Sequence, residues 1–256
     1  MRFDLHTHTN RYSGCARATP EEMMEGAVKQ GLDGVVITEH DIIWSEEEIK
    51  ELQSSYPQLT ILRGIEVHTA SGEDIIVLGI TDTSLFHRYM DDAVLGKIIE
   101  KYQGAAILAH PYRYRDEVSP EALKLPLHAV EVASSNIRQY MEEPIENLIR
   151  KYGLRPIVSS DAHWPENIGM YGVEFPYPVT SEAQLAAAIR KGAFRLFMNE
   201  ERVKQVNAEL REQISLAQRL LNQGYSTYEI RDLCGFSLSM LTALQAGRKV
   251  NLISIS

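Results

Sequence analysis

Short apolar runs alternate with amphipathic stretches along the first 200 residues of the chain. The apolar runs, such as residues 35–37, 105–108 and 129–133, have the length and composition of buried strands. The stretches between them repeat apolar residues every three or four positions, as amphipathic helices do. Strands that alternate with helices in this way are typical of parallel sheets, so the pattern predicts an α/β fold.

Local signals mark where several of these helices begin. Thr19-Pro20-Glu21-Glu22 and Ser45-Glu46-Glu47-Glu48 each combine an N-cap hydroxyl with an acidic residue three positions later. Further helices are predicted over residues 90–102, 142–152 and 181–191, the last ending at Gly192.

The pattern changes to helix without strands near residue 200, which predicts a barrel-forming part over residues 1–200 and a helical segment over 201–256. A long helix is followed by a capping box at Ser226, a turn at Gly235 and a second N-cap at Ser237. These short helices resemble the helix-turn-helix of resolvase-like DNA-binding modules. Ser239, Thr242, Gln245 and Arg248 would then be exposed. The alternative, a helical hairpin packed on the barrel or on a second copy, is favoured because local positive charge is sparse.

Composition narrows the class of protein. The 256 residues carry a net charge of −9, with 44% hydrophobic and 24% charged residues. Residues 1–200 hold 19 Lys/Arg against 30 Asp/Glu, which disfavours non-specific nucleic-acid binding. No apolar run is long enough to span a bilayer, and no secretory signal is recognisable. Cys15 and Cys234 are the only cysteines, so a reducing cytoplasmic location is predicted.

Histidines and carboxylates recur at the ends of the apolar runs. His6 and His8 lie two apart, so their side chains share one face of a strand, and Asp161 and His163 repeat that spacing. Glu66 is well placed to bridge two cations. The ends of parallel strands converge at one edge of a sheet, so the sequence predicts a site for several divalent cations. His68, His87 and His128 lack such partners and are interpreted as solvated or structural.

Five motifs resemble the PHP family, named for polymerase and histidinol phosphatase domains. They are Asp4-Leu5-His6-Thr7-His8-Thr9, Ile37-Thr38-Glu39-His40-Asp41, Gly64-Ile65-Glu66, Ala109-His110-Pro111 and Ser160-Asp161-Ala162-His163. The resemblance covers about residues 1–200. It implies a distorted, TIM-like (βα)7 barrel with a small helical C-terminal appendage, and two to three divalent metal ions, commonly zinc, manganese or iron.

The resemblance also implies three ligand sets. The first metal would be bound by His6, His8, Glu66 and Asp161, and the second by Glu66, His110 and Glu131. The third would take His40, His163 and an acidic or His residue shortly after the first motif, where this chain has Ser13. A hydroxyl is a weaker ligand than a carboxylate, so we expect a third site that is weak, completed by water or substrate, or empty. Glu39 and Asp41 could compensate, although support of the ligands is the favoured role for Glu39.

Paired divalent ions suit phosphoester hydrolysis by a metal-activated water. His40 or His163 could protonate the leaving oxygen if the third metal is absent, and a metal-bound water could do so if it is present. Arg113 is the best candidate for binding a phosphate, ahead of Arg11, Arg17 and Arg115. The sequence therefore predicts a metal-dependent phosphoesterase acting on a small phosphorylated metabolite or nucleotide. The alternative is a metallated regulatory protein that contacts DNA through its C-terminal helices. A barrel used only for assembly is the least favoured hypothesis.

Overall fold

The computed structural model of the chain describes residues 1–255. Its strands are β1 (Arg2–Thr7), β2 (Gly34–Ile37), β3 (Thr60–His68), β4 (Asp74–Leu78), β5 (Ala105–Leu108), β6 (Ala129–Ala133), β7 (Arg155–Val158), β8 (Tyr171–Glu174) and β9 (Arg195–Met198). Its α-helices are α1 (Pro20–Lys29), α2 (Glu46–Ser55), α3 (Asp92–Lys101), α4 (Glu142–Tyr152), α5 (Glu182–Lys191), α6 (Glu200–Asn222), α7 (Thr227–Cys234) and α8 (Leu238–Gln245).

The predicted helix starts are confirmed by the cap geometry. The Thr19 and Ser45 side chains accept the backbone N–H groups of Glu22 and Glu48, and each glutamate returns a bond to the cap backbone. Gly192 ends α5 in the left-handed conformation, with φ 69°. These contacts span only three or four residues, which is why the sequence alone locates them.

The nine strands form one sheet in the order β7-β6-β5-β4-β3-β2-β1-β8-β9. The strands β1, β2 and β3 pair in parallel, as do β5, β6 and β7. Its two ends approach each other, since β7 contacts both β8 and β9. The sheet is therefore a nearly closed barrel, and the predicted TIM-like α/β class is confirmed.

Two strands depart from a simple repeat of strand–helix units. β4 runs antiparallel to both β3 and β5, and β8 runs antiparallel to both β1 and β9. The connection from β3 to β4 is too short to hold a crossover helix, which a parallel pairing needs. As a result, the first residue of β4, Asp74, lies at the same edge of the sheet as the last residue of β3, His68.

Apolar side chains fill the barrel and attach its helices. Phe3, Val36, Leu78 and Ile107 belong to one buried cluster that also contains the apolar face of α5. A second cluster attaches α3 and α4 to the outer side of β4, β5 and β6, and a third attaches α1 and α2 to β2 and β3. Burial on both sides of the sheet explains why its strands read as continuous apolar runs.

The C-terminal helices pack together and the chain end returns to the barrel. Ile230 of α7 and Leu241 of α8 are fully buried in a cluster with α6. Beyond α8, the Tyr171 hydroxyl donates to the carbonyl of Ile253 at 2.6 Å, and Leu252 is buried against the barrel. The packed arrangement agrees with the favoured alternative for this segment. The helix-turn-helix function and the division at residue 200 remain predictions.

None of the helices within residues 1–255 is long and apolar enough to cross a membrane.

Candidate metal centre

The strand ends bring all eight predicted metal ligands to one edge of the barrel. They are His6, His8, His40, Glu66, His110, Glu131, Asp161 and His163, supplied by β1, β2, β3, β5, β6 and β7 or by the residues directly after them. His110 and Asp161 have positive φ values of 23° and 50°. Such backbone is unfavourable for residues other than glycine and is concentrated at functional sites.

A fully buried group of four side chains forms the centre of this edge. His6 Nε2 lies 3.3 Å from Glu66 Oε1 and 3.4 Å from Asp161 Oδ1. His8 Nε2 lies 3.3 Å from both Glu66 Oε2 and Asp161 Oδ1. Within residues 1–255, His6 Nε2, His8 Nε2, Glu66 Oε2 and Asp161 Oδ1 have no hydrogen-bond partner. Buried polar atoms without partners are costly, and four that face one another fit a bound cation.

Polar partners behind His6 and His8 orient their rings. His6 Nδ1 lies 3.0 Å from Glu131 Oε1, to which it can donate. His8 Nδ1 lies 3.3 Å from the Ser13 hydroxyl, and that hydroxyl in turn donates to Glu39. With the proton on Nδ1, each ring presents the lone pair of Nε2 to the centre, as a metal-binding histidine requires.

The charges of the buried group are strongly coupled. Burial disfavours a charged His6, but Asp161, Glu66 and Glu131 outweigh burial and raise its pKa well above the usual range. Burial lowers the pKa of His8 to about 3, so this ring stays neutral. Although burial alone would raise the pKa of Glu66, His6 and His110 hold it well below its usual value. A protonated His6 thus offsets the carboxylate charge, which a divalent cation would do more effectively.

The side chains of Glu66, His110 and Asp74 form a second group. His110 Nε2 lies 2.8 Å from Glu66 Oε1, and its Nδ1 lies 3.9 Å from Asp74 Oδ2. Ligand atoms of these three residues all lie within 4.8 Å of one another. The structure places Glu131 elsewhere than the sequence predicted, because its Oε2 accepts the His110 backbone N–H at 2.7 Å. Both carboxylate oxygens of Glu131 thus contact groups of His6 and His110, and Glu131 lies behind these ligands.

Asp74 was missed by the sequence reasoning. It begins a strand rather than following one, and only the reversed direction of β4 brings it to this edge. His68 was interpreted as solvated or structural, yet its Nδ1 lies 2.6 Å from Asp74 Oδ1 and its side chain lines the cavity over the site.

A third group contains His8, His40 and His163. The His8 ring stacks on His40 with centroids 4.3 Å apart, and it is tilted against His163 with centroids 4.4 Å apart. Ser13 was expected to join the rings of His40 and His163; its hydroxyl instead accepts the His40 backbone N–H at 3.3 Å and faces Glu39 and the ring of His8. Glu39 also faces away from the ligands and accepts from Thr9, as support of the site requires. Instead, Cys15 Sγ lies 3.2 Å from Nε2 of His40 and 3.2 Å from Nε2 of His163.

The four arginines singled out in the sequence differ in whether their side chains contact this site. Arg113 Nη1 lies 3.4 Å from His110 Nε2 and 3.8 Å from Asp161 Oδ2, at the rim of the buried group. Arg11 instead pairs with Glu48, and Arg115 donates to the carbonyls of residues 71 and 72. Arg17 is exposed. Of the arginines singled out in the sequence, Arg113 alone lies against the predicted ligands.

Two cavities open beside the group. One, of about 520 Å³, is lined by Cys15, His40, His68, Arg88 and Tyr114 among others. The other, of about 320 Å³, lies between Arg113, Arg138 and the first turn of α8. Both have the size of sites for small ligands.

Comparison with known proteins agrees with this site. A family model of the PHP domain matches residues 4–160, and a model described as PHP-associated matches residues 143–194. The chain belongs to the PHP domain family. Together with the cluster of metal-binding side chains, this membership defines the chain as a metal-dependent hydrolase.

Individual relatives are distant. The uncharacterized protein MJ1587 of Methanocaldococcus jannaschii is 28% identical over 122 residues, covering 44% of this chain and 68% of the relative. A two-domain protein from Bacteroides vulgatus, described as containing a predicted PHP-like metal-dependent phosphoesterase, superposes with TM-score 0.60 and 17% identity. That alignment covers 77% of this chain and 64% of the other.

A lesion-specific endonuclease from Pyrococcus furiosus, PfuEndoQ, superposes with TM-score 0.57 and 14% identity over 76% of this chain and 57% of its own. At these identities the two structures support the fold alone. This chain spans less than two thirds of either protein.

Proposed function

We propose that the protein is a metal-dependent phosphoesterase that hydrolyses a small phosphorylated metabolite or nucleotide. The observation that carries the proposal is the set of four buried ligand atoms, on His6, His8, Glu66 and Asp161, that face one another without hydrogen-bond partners within residues 1–255. Two histidine nitrogens and two carboxylate oxygens are suitable donors for zinc, manganese or iron.

The residues that would hold the ions follow from the three groups. His6, His8, Glu66 and Asp161 would bind the first, and Glu66, His110 and Asp74 the second, with Glu131 positioning His6 and His110. Bound divalent ions would supply an activated water and neutralise charge on the phosphoryl oxygens. We propose two to three ions, because the third group binds an ion only when its donor set is complete.

His40 and His163 are the candidates for protonating the leaving oxygen. Their side chains are 35% and 15% exposed, and His40 lines the larger cavity, whereas His6 and His8 are fully buried. Arg113 at the rim would hold the phosphate through its planar guanidinium group.

The cavities support a small substrate rather than a long nucleic acid. The first turn of α8 lines the same cavity as Arg113. This turn is therefore not free to enter a groove of DNA. The acidic charge of residues 1–200 adds to this argument. A DNA partner, suggested by the likeness to an endonuclease, remains the weaker alternative.

Metal-dependent turnover is the first expected result. Protein purified without added metal should contain about two to three equivalents of transition metal and hydrolyse a chromogenic phosphomonoester or phosphodiester. Chelation should abolish turnover, and re-addition of the ion should restore it. Elemental analysis and an absorbance assay on the same samples test this. No bound metal after reconstitution would refute the ligand assignment, and metal without turnover would favour the regulatory alternative.

Replacement of Arg113 by glutamine should raise KM for a phosphomonoester and lower kcat/KM by about ten- to a hundredfold, because a charged hydrogen bond contributes about 1.5–3 kcal/mol. Metal content should not change, because Arg113 supplies no ligand. Arg115→Gln is the matched control, since that arginine on the same loop bonds to backbone carbonyls. Equal kinetics for Arg113→Gln and the control would remove Arg113 from the substrate site.

A further inference from the structure

The contact between Cys15, His40 and His163 joins three distant segments of the chain at one point. The sulfur lies 3.2 Å from Nε2 of each histidine, and it faces the larger cavity. Cys15 follows β1, His40 follows β2 and His163 follows β7, so only the barrel brings them together.

The polar contacts of His40 and His163 indicate which nitrogen of each ring carries the proton and which holds a lone pair. His163 Nδ1 lies 3.1 Å from the carbonyl oxygen of Asp161, which can only accept, so the proton belongs on Nδ1. His40 Nδ1 lies 2.7 Å from Glu66 Oε2; this ion-pair contact lacks hydrogen-bond geometry, but the carboxylate charge likewise favours a proton on Nδ1. In the neutral rings, both Nε2 atoms therefore direct lone pairs at the sulfur. A thiol has one proton and can satisfy only one of them.

A bound cation would remove this conflict, because it can accept lone pairs from the sulfur and from both Nε2 atoms. For a tetrahedral zinc site with Zn–S of about 2.3 Å and Zn–N of about 2.0–2.1 Å, the sulfur and each nitrogen lie about 3.5 Å apart. The observed distances from the Cys15 sulfur to the two nitrogens, 3.2 Å each, are only a few tenths of an ångström shorter than this value.

His8 connects the cysteine group to the first metal group. Its side chain is fully buried, its Nε2 has no hydrogen-bond partner within residues 1–255, and it belongs with His40 and His163 to one group of converging ligand atoms. The ring of His8 thus lies between the first metal group and the cysteine.

We propose that Cys15, as a thiolate, binds the third divalent ion together with His40 and His163, in the place where the sequence suggested Ser13. This inference rests on the proposed metal-dependent function and refines one of its sites. Two imidazoles and a thiolate form a soft donor set, which selects zinc, cobalt or iron(II) over magnesium and manganese. Because Cys15 is exposed, a coordination position remains open to water or a phosphoryl oxygen.

The assignment also changes the role of the two histidines. While they bind an ion through Nε2, neither can deliver a proton to the leaving oxygen, so His40 and His163 act as ligands in the fully loaded protein. Their proposed acid role applies only to the form with two ions.

Cobalt(II) substitution of the full-length protein tests the thiolate. We expect an intense sulfur-to-cobalt charge-transfer band in the near ultraviolet, which nitrogen and oxygen ligands do not produce, and about three equivalents of cobalt. Cys15→Ser should lose the band and one equivalent. Cys234→Ser, which alters the only other cysteine, should retain both. Cys15→Asp should regain the third equivalent without the band, because a carboxylate also binds divalent ions.

The outcomes separate this inference from the proposed function. A wild-type protein without the band, or a band that persists in Cys15→Ser, would overturn the thiolate assignment even if all samples hydrolyse the phosphoester. A band that depends on Cys15 would support the assignment even if no phosphoester is hydrolysed, and the proposed function would then fail by itself.

Discussion

Replacement of Glu66 by glutamine is expected to lower kcat/KM for a phosphoester by about a thousandfold and to reduce the bound metal. Glu66 is fully buried and its two oxygens lie within 3.3 Å of ring nitrogens of His6, His8, His40 and His110. Glu66 is the one carboxylate shared by the first two ligand groups, so its replacement removes a charged donor from both groups. Several kcal/mol of transition-state stabilisation depend on the ions they bind, and about 4 kcal/mol corresponds to a thousandfold.

The glutamine side chain has nearly the same shape, which separates loss of charge from loss of packing. Metal content by elemental analysis and kinetics on matched samples would measure the effect. Asp92→Asn is the control, since Asp92 is also buried but accepts from the backbone and hydroxyl of Ser71 and belongs to none of the ligand groups. Full metal content with wild-type turnover in Glu66→Gln would show that the bridging assignment is wrong.

Deletion of residues 201–256 is expected to give an insoluble or largely unfolded protein, despite the predicted division at residue 200. Val203 of α6 and Leu252 and Ile253 of the chain end are buried in one cluster with Met170 and Tyr171 of the barrel. Exposing such side chains costs about 1.5–3 kcal/mol each, and a few of them match the whole stability of a typical domain. The deletion also removes the acceptor of the Tyr171 hydroxyl.

A shorter deletion and a point variant make this test specific. Deleting residues 249–256 removes Leu252 and Ile253 but keeps Val203, so it should lower the thermal midpoint while α6 stays in place. Ile230→Ala, within the buried cluster of the C-terminal helices, should loosen those helices yet leave metal content intact. Solubility, thermal unfolding and metal content would be measured for all three. A soluble, metal-loaded and active protein of residues 1–200 would establish the barrel as an independent domain.

The positions of ligands near the parallel strand ends could be predicted because they depend on short spacing and strand direction. His6 and His8 share a face at a separation of two residues, and the ends of β1, β2, β5, β6 and β7 meet at one edge. The helix starts at Thr19 and Ser45 were equally local. The reversed direction of β4 depends on its pairing with β3 and β5, which no local pattern encodes.

The sequence by itself therefore determined the α/β class, the helix caps and the convergence of histidines and carboxylates at one edge of a barrel. Only the tertiary structure decided which of those groups meet. It brought Asp74 to Glu66 and His110, and it turned Ser13 and Glu131 behind the histidines. It also placed Cys15 between His40 and His163. Finally, it packed Ile253 of the chain end against Tyr171. The physical reason is that side-chain contacts between distant segments depend on strand pairing and core packing, which are set by the whole chain.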